Sequence, residues 1–176
     1  MEKAYGDLRI RGAALADAEQ LCQWWNDGAV MAHAGFPNGL GTTAEKIRGQ
    51  IAEESDDTIR RHIILYQNVP IGEMHYRNRD GGVCAIGIKI CDAGKQNRGL
   101  GKIALSLFID GLFHDLHYGK ICLDTNLRNT RAQHVYEQLG FQKVRVNQDA
   151  WIDQLGVPQS FIDYELTEKE FISYLR

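Results

Sequence analysis

The residues best placed to do chemistry stand together at Gln96-Asn97-Arg98-Gly99-Leu100-Gly101-Lys102. An apolar run of strand length, Cys84 to Ile90, precedes them across a polar loop, Cys91 to Asn97. Ile103 to Phe113 follows, with apolar residues on nearly every side. That order reads as strand, anion-binding loop and buried helix. The first turn of a helix carries backbone N–H groups without intrahelical partners. These groups, with the helix dipole, favour an anion such as phosphate. Gly99 and Gly101 lack a Cβ, so a ligand can approach the main chain closely. Arg98 and Lys102 add positive charge beside it. A glycine pair before a helix also makes an ordinary tight turn, so the loop alone does not decide the matter.

Two familiar phosphate loops fit poorly. Gly94 and Gly99 have the P-loop separation, but Leu100 stands where that motif needs its lysine. Gly99-Leu100-Gly101-Lys102-Ile103-Ala104 satisfies the dinucleotide pattern G-x-G-x-x-A, and Asp124 ends the next strand, where a ribose-binding acid would fall. That fold, however, places its glycine turn directly after the strand and needs more βα units than the remaining chain supplies.

A length of 176 residues suits one domain over 1–176 with a real core. Apolar content of 44% and charged content of 24% are those of a soluble globular protein. The net charge of −3 argues against nonspecific nucleic-acid binding, which shows as a basic surface. No apolar run approaches membrane-spanning length, and the first residues lack the apolar core of a signal peptide, so a cytoplasmic protein is expected. Cys22, Cys84, Cys91 and Cys122 form no C-x-x-C pair and read as buried thiols. His114 and His117 share a helix end without a carboxylate or cysteine at zinc spacing, and no metal is expected.

The elements that must position the loop can be read in order. Leu8 to Gly12 reads as a short strand, and Asp17 to Asn26 as a helix with Ala18, Leu21 and Trp25 on one face. Ala29 to Thr42, glycine-rich and holding Pro37, reads as a long loop of the kind that often carries function. Thr43 starts a second helix that presents Ile47 and Ile51, and Glu53 to Asp57 reads as its solvated acidic end. His62 to Tyr66 and Val69 to Tyr76 form a hairpin across Gln67-Asn68, and Asn78 to Gly82 turns into the strand at Cys84. After the central helix come a strand at Lys120 to Asp124 and a helix at Asn129 to Leu139, stopped by Gly140. Gln142 to Val146 and Phe161 to Leu166 form a last strand pair, with Asn147 to Gln159 as a connecting excursion. Thr167 to Tyr174 closes as a short helix.

Two motifs in this order give a specific resemblance. Gln96-Asn97-Arg98-Gly99-Leu100-Gly101 matches the Q/R-x-x-G-x-G/A loop of the GNAT superfamily of acetyl-CoA-dependent N-acetyltransferases. Asn129 to Phe141 (N-T-R-A-Q-H-V-Y-E-Q-L-G-F) resembles that family's second signature, N-x-x-A-x-x-x-Y-E-x-L-G-F. The two lie one helix and one strand apart, and the ordered pair is far more specific than either alone. Trp24-Trp25-Asn26-Asp27, with Val30-Met31, and the tail from Trp151-Ile152 to Tyr164-Glu165-Leu166 are similar to one branch. It includes ribosomal-protein N-terminal, spermidine and some aminoglycoside 6′-acetyltransferases.

The resemblance implies an α/β (α+β) fold with a mixed, mostly antiparallel sheet whose central strand pair splays apart. It implies transfer of acetyl from acetyl-CoA to a primary amine by direct attack. The CoA pyrophosphate would lie on Arg98, Gly99, Leu100, Gly101 and Lys102, beside Gln96 and Asn97. The pantetheine arm would run along the strand through Ile88 and Ile90. Asn129 would contact the cofactor near its reacting end, though an asparagine there is equally a natural helix N-cap. Tyr136 would protonate the departing thiolate; unaided by the motif, it would read as a packing residue on the helix's apolar face. Many family members carry a glutamate in the strand before the glycine loop, and Cys84-Ala85-Ile86-Gly87 has none. Glu73 in the adjacent strand is the substitute, with His75 on the same strand face, and Asp149 and Asp153 could bind a cationic amine. Trp24, Trp25 and the Ala29–Thr42 loop would wall the acceptor pocket. The acceptor, whether a small molecule or a peptide, and the choice between monomer and homodimer stay open. So do a longer acyl-CoA donor and a non-catalytic acyl-CoA-binding role, the latter suggested by the missing glutamate.

Overall fold

The computed structural model describes residues 1–175. Eight strands form one sheet in the order β1-β2-β3-β4-β5-β6-β8-β7. They are β1 (Lys3–Tyr5), β2 (Leu8–Gly12), β3 (Ile59–Tyr66), β4 (Val69–Arg79), β5 (Val83–Ile90), β6 (Lys120–Asn126), β7 (Gln142–Ile152) and β8 (Pro158–Thr167). Neighbours pair antiparallel except β5 and β6, which run parallel. Five α-helices accompany them: α1 (Ala18–Asn26), α2 (Gly28–Met31), α3 (Ala44–Glu53), α4 (Leu100–His114) and α5 (Thr130–Gln138). The crossover from β5 to β6 runs through α4, as a parallel pair requires.

Period-2 alternation assigns each strand residue to one of two cores. On one face, Ile64, Met74, Tyr76, Cys84, Ile121 and Leu123 pack against α4 and Tyr136 of α5. Helix α4 is apolar all round because further layers cover it. The sheet lies on one side, and the last residues of the chain pack over it, with Phe171 against Phe113 and the Tyr174 N–H donated to Ser106 Oγ at 3.1 Å. On the other face, Ile63 and Leu65 meet Leu21, Trp24 and Trp25 of α1 and Ile47 and Ile51 of α3. Thr43 caps α3 by accepting from the Lys46 N–H.

Four expectations need correction. Residues 147–157 are not a loose excursion: β7 continues to Ile152, and the chain then turns directly into β8 at Pro158. Residues 167–174 make only a single 3-10 turn, Glu168–Glu170, before running extended over α4. The long loop carries the short helix α2, capped by Asp27, whose Oδ1 accepts from the Ala29 N–H at 2.8 Å. Finally, β1 precedes the first expected strand. No helix among the described residues is long and apolar enough to cross a membrane.

Candidate active site

The site begins where two strands part. β5 and β6 pair only at Val83↔Lys120, Cys84↔Ile121 and Ala85↔Cys122. Beyond Ala85 the strands diverge, while β5 stays paired with β4 as far as Gly72↔Ile90, and β6 stays paired with β8 as far as Asn126↔Phe161. From Ile86 to Ile90, therefore, β5 turns one hydrogen-bonding edge toward an opening instead of a neighbour. Buried backbone groups demand partners, so such an edge favours a ligand that carries amides. The opening is a cleft of about 720 Å³.

At one end of the cleft lies the glycine loop. Gly99 has φ +76°, a left-handed conformation that a side chain would strain, and it is the N-cap of α4. The first amides bonded back to Gly99 are those of Lys102 and Ile103, at 3.1 and 3.2 Å. The N–H groups of Leu100 and Gly101 stand ahead of them in the first turn, positioned for an anion. Arg131 reaches across from α5 and donates to Gln96 Oε1 and Asn97 Oδ1 at 3.3 and 3.2 Å. Lys102 donates to Gln138 Oε1 at 3.2 Å and lies 3.9 Å from the centre of the Tyr174 ring. Gln96 Nε2 donates to the Ile90 carbonyl at 2.9 Å and so ties the loop to the end of β5.

The structure brings most of the sequence candidates together. Ile88, Ile90, Gln96, Asn97, Gly99, Leu100, Gly101, Lys102, Asn129 and Tyr136 all line the cleft. Arg98 is exposed and stands outside the lining. Asn129 is the N-cap of α5, its Oδ1 accepting from the Ala132 N–H at 3.2 Å, and it lines the cleft as well. Tyr136 packs edge-on against Phe141 and Tyr164. Burial, and secondarily the nearby Asp124 carboxylate, push its phenol up to about 12, so it keeps its proton at any working pH.

Glu73 is placed differently. Its carboxylate is buried behind the cleft wall rather than in the lining. Trp25 Nε1 donates to its Oε1 at 2.6 Å, Lys89 Nζ lies 3.6 Å away, and Arg61 Nε lies 3.8 Å from Oε2. Arg61 also pairs with buried Glu54 at 3.0 Å. Two cations and an indole N–H thus hold this buried charge, the arrangement such a group needs. Trp24 and Trp25 belong to the second core rather than to the cleft, whereas Ala29, Val30, His33 and Ala34 of the loop do line it. His75 lines the cleft, and its ring lies over Gly87; a Cβ on Gly87 would meet His75 Cε1 at 2.5 Å. Burial lowers its pKa to about 4, so the imidazole is neutral.

Sequence reasoning missed Arg131, Lys95 and Asp124 in the lining. Arg131 sits inside the second signature, so helical spacing from Asn129 could have pointed to it. Lys95 and Asp124 carried no such signal. Asp149 and Asp153 are absent from the lining. Among the described residues, no three His, Cys, Asp or Glu side chains gather where they could hold a metal ion.

Residues 7–142 match the model of the acetyltransferase (GNAT) domain. The chain belongs to the GNAT acetyltransferase family. Solved structures extend the likeness over nearly the whole chain. One is the spermidine N-acetyltransferase from Vibrio cholerae in complex with CoA and spermine, with 20% identity and a TM-score of 0.82 over 94% of this chain and 98% of that one. Another is a GNAT-family acetyltransferase from Bacillus anthracis, with 19% identity and a TM-score of 0.79 over 97% and 100%. A third is RimL, a ribosomal L7/L12 alpha-N-protein acetyltransferase in complex with coenzyme A, with 15% identity and a TM-score of 0.79 over 94% and 96%. At these identities the shared property is the fold.

Proposed function

We propose that the protein transfers an acetyl group from acetyl-CoA to a primary amine by direct attack. The observation that carries this reading is the parting of β5 from β6 after Ala85, with the glycine loop at one end of the cleft and Tyr136 in its wall. The free first-turn amides of α4 suit a pyrophosphate, and Lys95, Lys102 and Arg131 supply countercharge. The open edge from Ile86 to Ile90 suits the amides of a pantetheine arm.

In the chemical step the amine, as its neutral free base, attacks the thioester carbonyl carbon; the C–S bond breaks, and the proton the nitrogen sheds on becoming an amide passes to solvent. The sulfur leaves as a thiolate, and Tyr136 is the group assigned to meet it. With the phenol near 12 and a free thiol near 8.5, complete proton transfer would be uphill by about 5 kcal/mol. Tyr136 therefore acts chiefly by donating a hydrogen bond as charge grows on sulfur, an effect realised only in the transition state. Glu73, held by Trp25, Arg61 and Lys89, is assigned to set the charge balance behind β5, and any proton it takes from the amine must pass by way of His75 or water.

The test is titration calorimetry with acetyl-CoA, followed by thiol release over a panel of primary amines for wild type and Tyr136→Phe. Saturable binding of acetyl-CoA and amine-dependent thiol release are expected. A well-folded protein that takes up no acetyl-CoA would refute the assignment.

A further inference from the structure

The cleft opens into a second chamber of about 370 Å³, lined by His33, Ala34, Asp124, Asn126, Trp151 and Phe161. His33, Ala34, Asp124 and Asn126 line both spaces, so the chamber leads directly to the place where Tyr136 stands. Its walls come from three distant stretches of chain: the loop after α2, the open end of β6, and the β7–β8 hairpin. They are fastened together. Gln154 donates its N–H to the Gly35 carbonyl and its Nε2 to the Gly39 carbonyl, both at 3.0 Å, and its Oε1 accepts from the Asn38 N–H at 2.8 Å. The Trp151 ring lies so close to Gly35 that a Cβ there would overlap it at 2.1 Å.

Charge is divided between the two spaces. Four of the groups lining the main cleft are cations: Lys89, Lys95, Lys102 and Arg131. Asp124 is the one carboxylate lining either space among the described residues, and it stands at their junction. Directly opposite on β8 is Asp163, a like-charged cross-strand neighbour of the kind that costs stability. Asp163 is answered by Arg145 at 3.2 Å and Asn147 at 2.9 Å. Asp124 is exposed, has no hydrogen bond or ion pair to any described side chain, and has its pKa raised by partial desolvation and then by Asp163. A carboxylate kept unpaired beside aromatic rings matches an ammonium group, which Trp151 and Phe161 can attract through their ring faces.

Resting on the proposed transfer to a primary amine, we propose that this chamber is the acceptor site, that Asp124 draws in the acceptor's ammonium, which sheds one proton to water before its nitrogen attacks, and that the acceptor carries a single ammonium on an apolar or aromatic body. A polyamine would need several anions along its length, and the described lining offers one. An apolar body next to the amine would lie on Trp151 and Phe161, where a charge-free surface is left for it.

The test compares 2-phenylethylamine, butylamine and spermidine as acceptors for wild type, Asp124→Asn and Trp151→Ala. Wild type should turn over phenylethylamine with kcat/KM about tenfold or more above spermidine. D124N should raise the KM for phenylethylamine about tenfold, the loss of one charge-assisted hydrogen bond, while acetyl-CoA affinity by calorimetry stays unchanged. W151A should reduce the preference for phenylethylamine over butylamine, and it carries the test alone if D124N does not fold. The proposal is overturned if spermidine is the better substrate, or if D124N keeps the wild-type KM. It is overturned too if W151A keeps the wild-type preference, or if no amine is turned over although acetyl-CoA binds. Failure to bind acetyl-CoA would instead strike the transfer reading itself.

Discussion

The two ends of the cleft are built from different materials. The end proposed for the acyl donor is mostly main chain: the first-turn amides of α4, the unpaired edge of β5, and a loop whose turn depends on Gly99. The end proposed for the amine is mostly side chain: Asp124, Trp151, Phe161 and His33, drawn from three stretches far apart in sequence. A main-chain site is fixed by fold and by a few glycines, so it keeps one shape whatever else varies. A side-chain site is changed by any single substitution in its wall. On the proposed reading, the difference would let the donor end stay constant while the acceptor end varies.

Variants can break or sharpen that contrast. The largest effect is expected where the two ends meet. Tyr136→Phe should lower kcat by about 10²- to 10³-fold, the range for losing one hydrogen-bond donor to developing charge, with acetyl-CoA affinity unchanged. Unchanged single-turnover rates would leave the phenol a packing group only. Next comes the buried network behind β5. Glu73→Gln leaves Arg61 and Lys89 without their shared carboxylate and should cost about 3–5 kcal/mol in chemical denaturation. A normal denaturation midpoint together with a large loss in kcat would instead place Glu73 in the chemistry.

A third test uses pH. His62 is fully buried between Tyr76 and Phe108, neither ring nitrogen has a partner among the described residues, and burial lowers its pKa to about 4. Below about 6.5 the unfolded chain takes up a proton that the folded chain refuses, so stability is complete above that value and falls as pH drops toward 4, by about 3 kcal/mol. His75 acts in the same window with the same sign. Denaturation of His62→Phe from pH 7 to 4 should show a shallower loss than wild type; equal slopes would refute this. The smallest effect returns to the contrast itself. Gly99→Val strains a left-handed residue by about 1–3 kcal/mol and should weaken acetyl-CoA binding by the same factor whichever amine is supplied. A change in amine preference would show that the two ends are not separable.

The same division governs what could be read from the sequence. The glycine loop and the helix carrying Tyr136 are contiguous signatures, and β3, β4 and β5 show clear apolar runs, so the donor end and most of the sheet were legible. The amine end was not. β7 is exposed along nearly its whole length, which removes the alternation that marks a strand. Its register also slips between Asn147 and Trp151, where Asp149 has φ +44°, so turn-forming residues stand inside an extended hairpin. The tail misled for the opposite reason. Phe171, Tyr174 and Leu175 have helix-like spacing, but they serve to cover α4 as the chain crosses it extended. Asp124 carried no local signal because its surroundings exist only once β6, β8 and the loop after α2 are assembled.

The seam between β5 and β6 has one more consequence. Its exposed rungs come from peptide groups, and every residue supplies the same donor and acceptor at the same interval. For the proposed pantetheine arm, such a slot would measure length and amide spacing and be blind to ornament. Substitutions at Ile88 would alter the side chain presented there and leave the ruler itself intact.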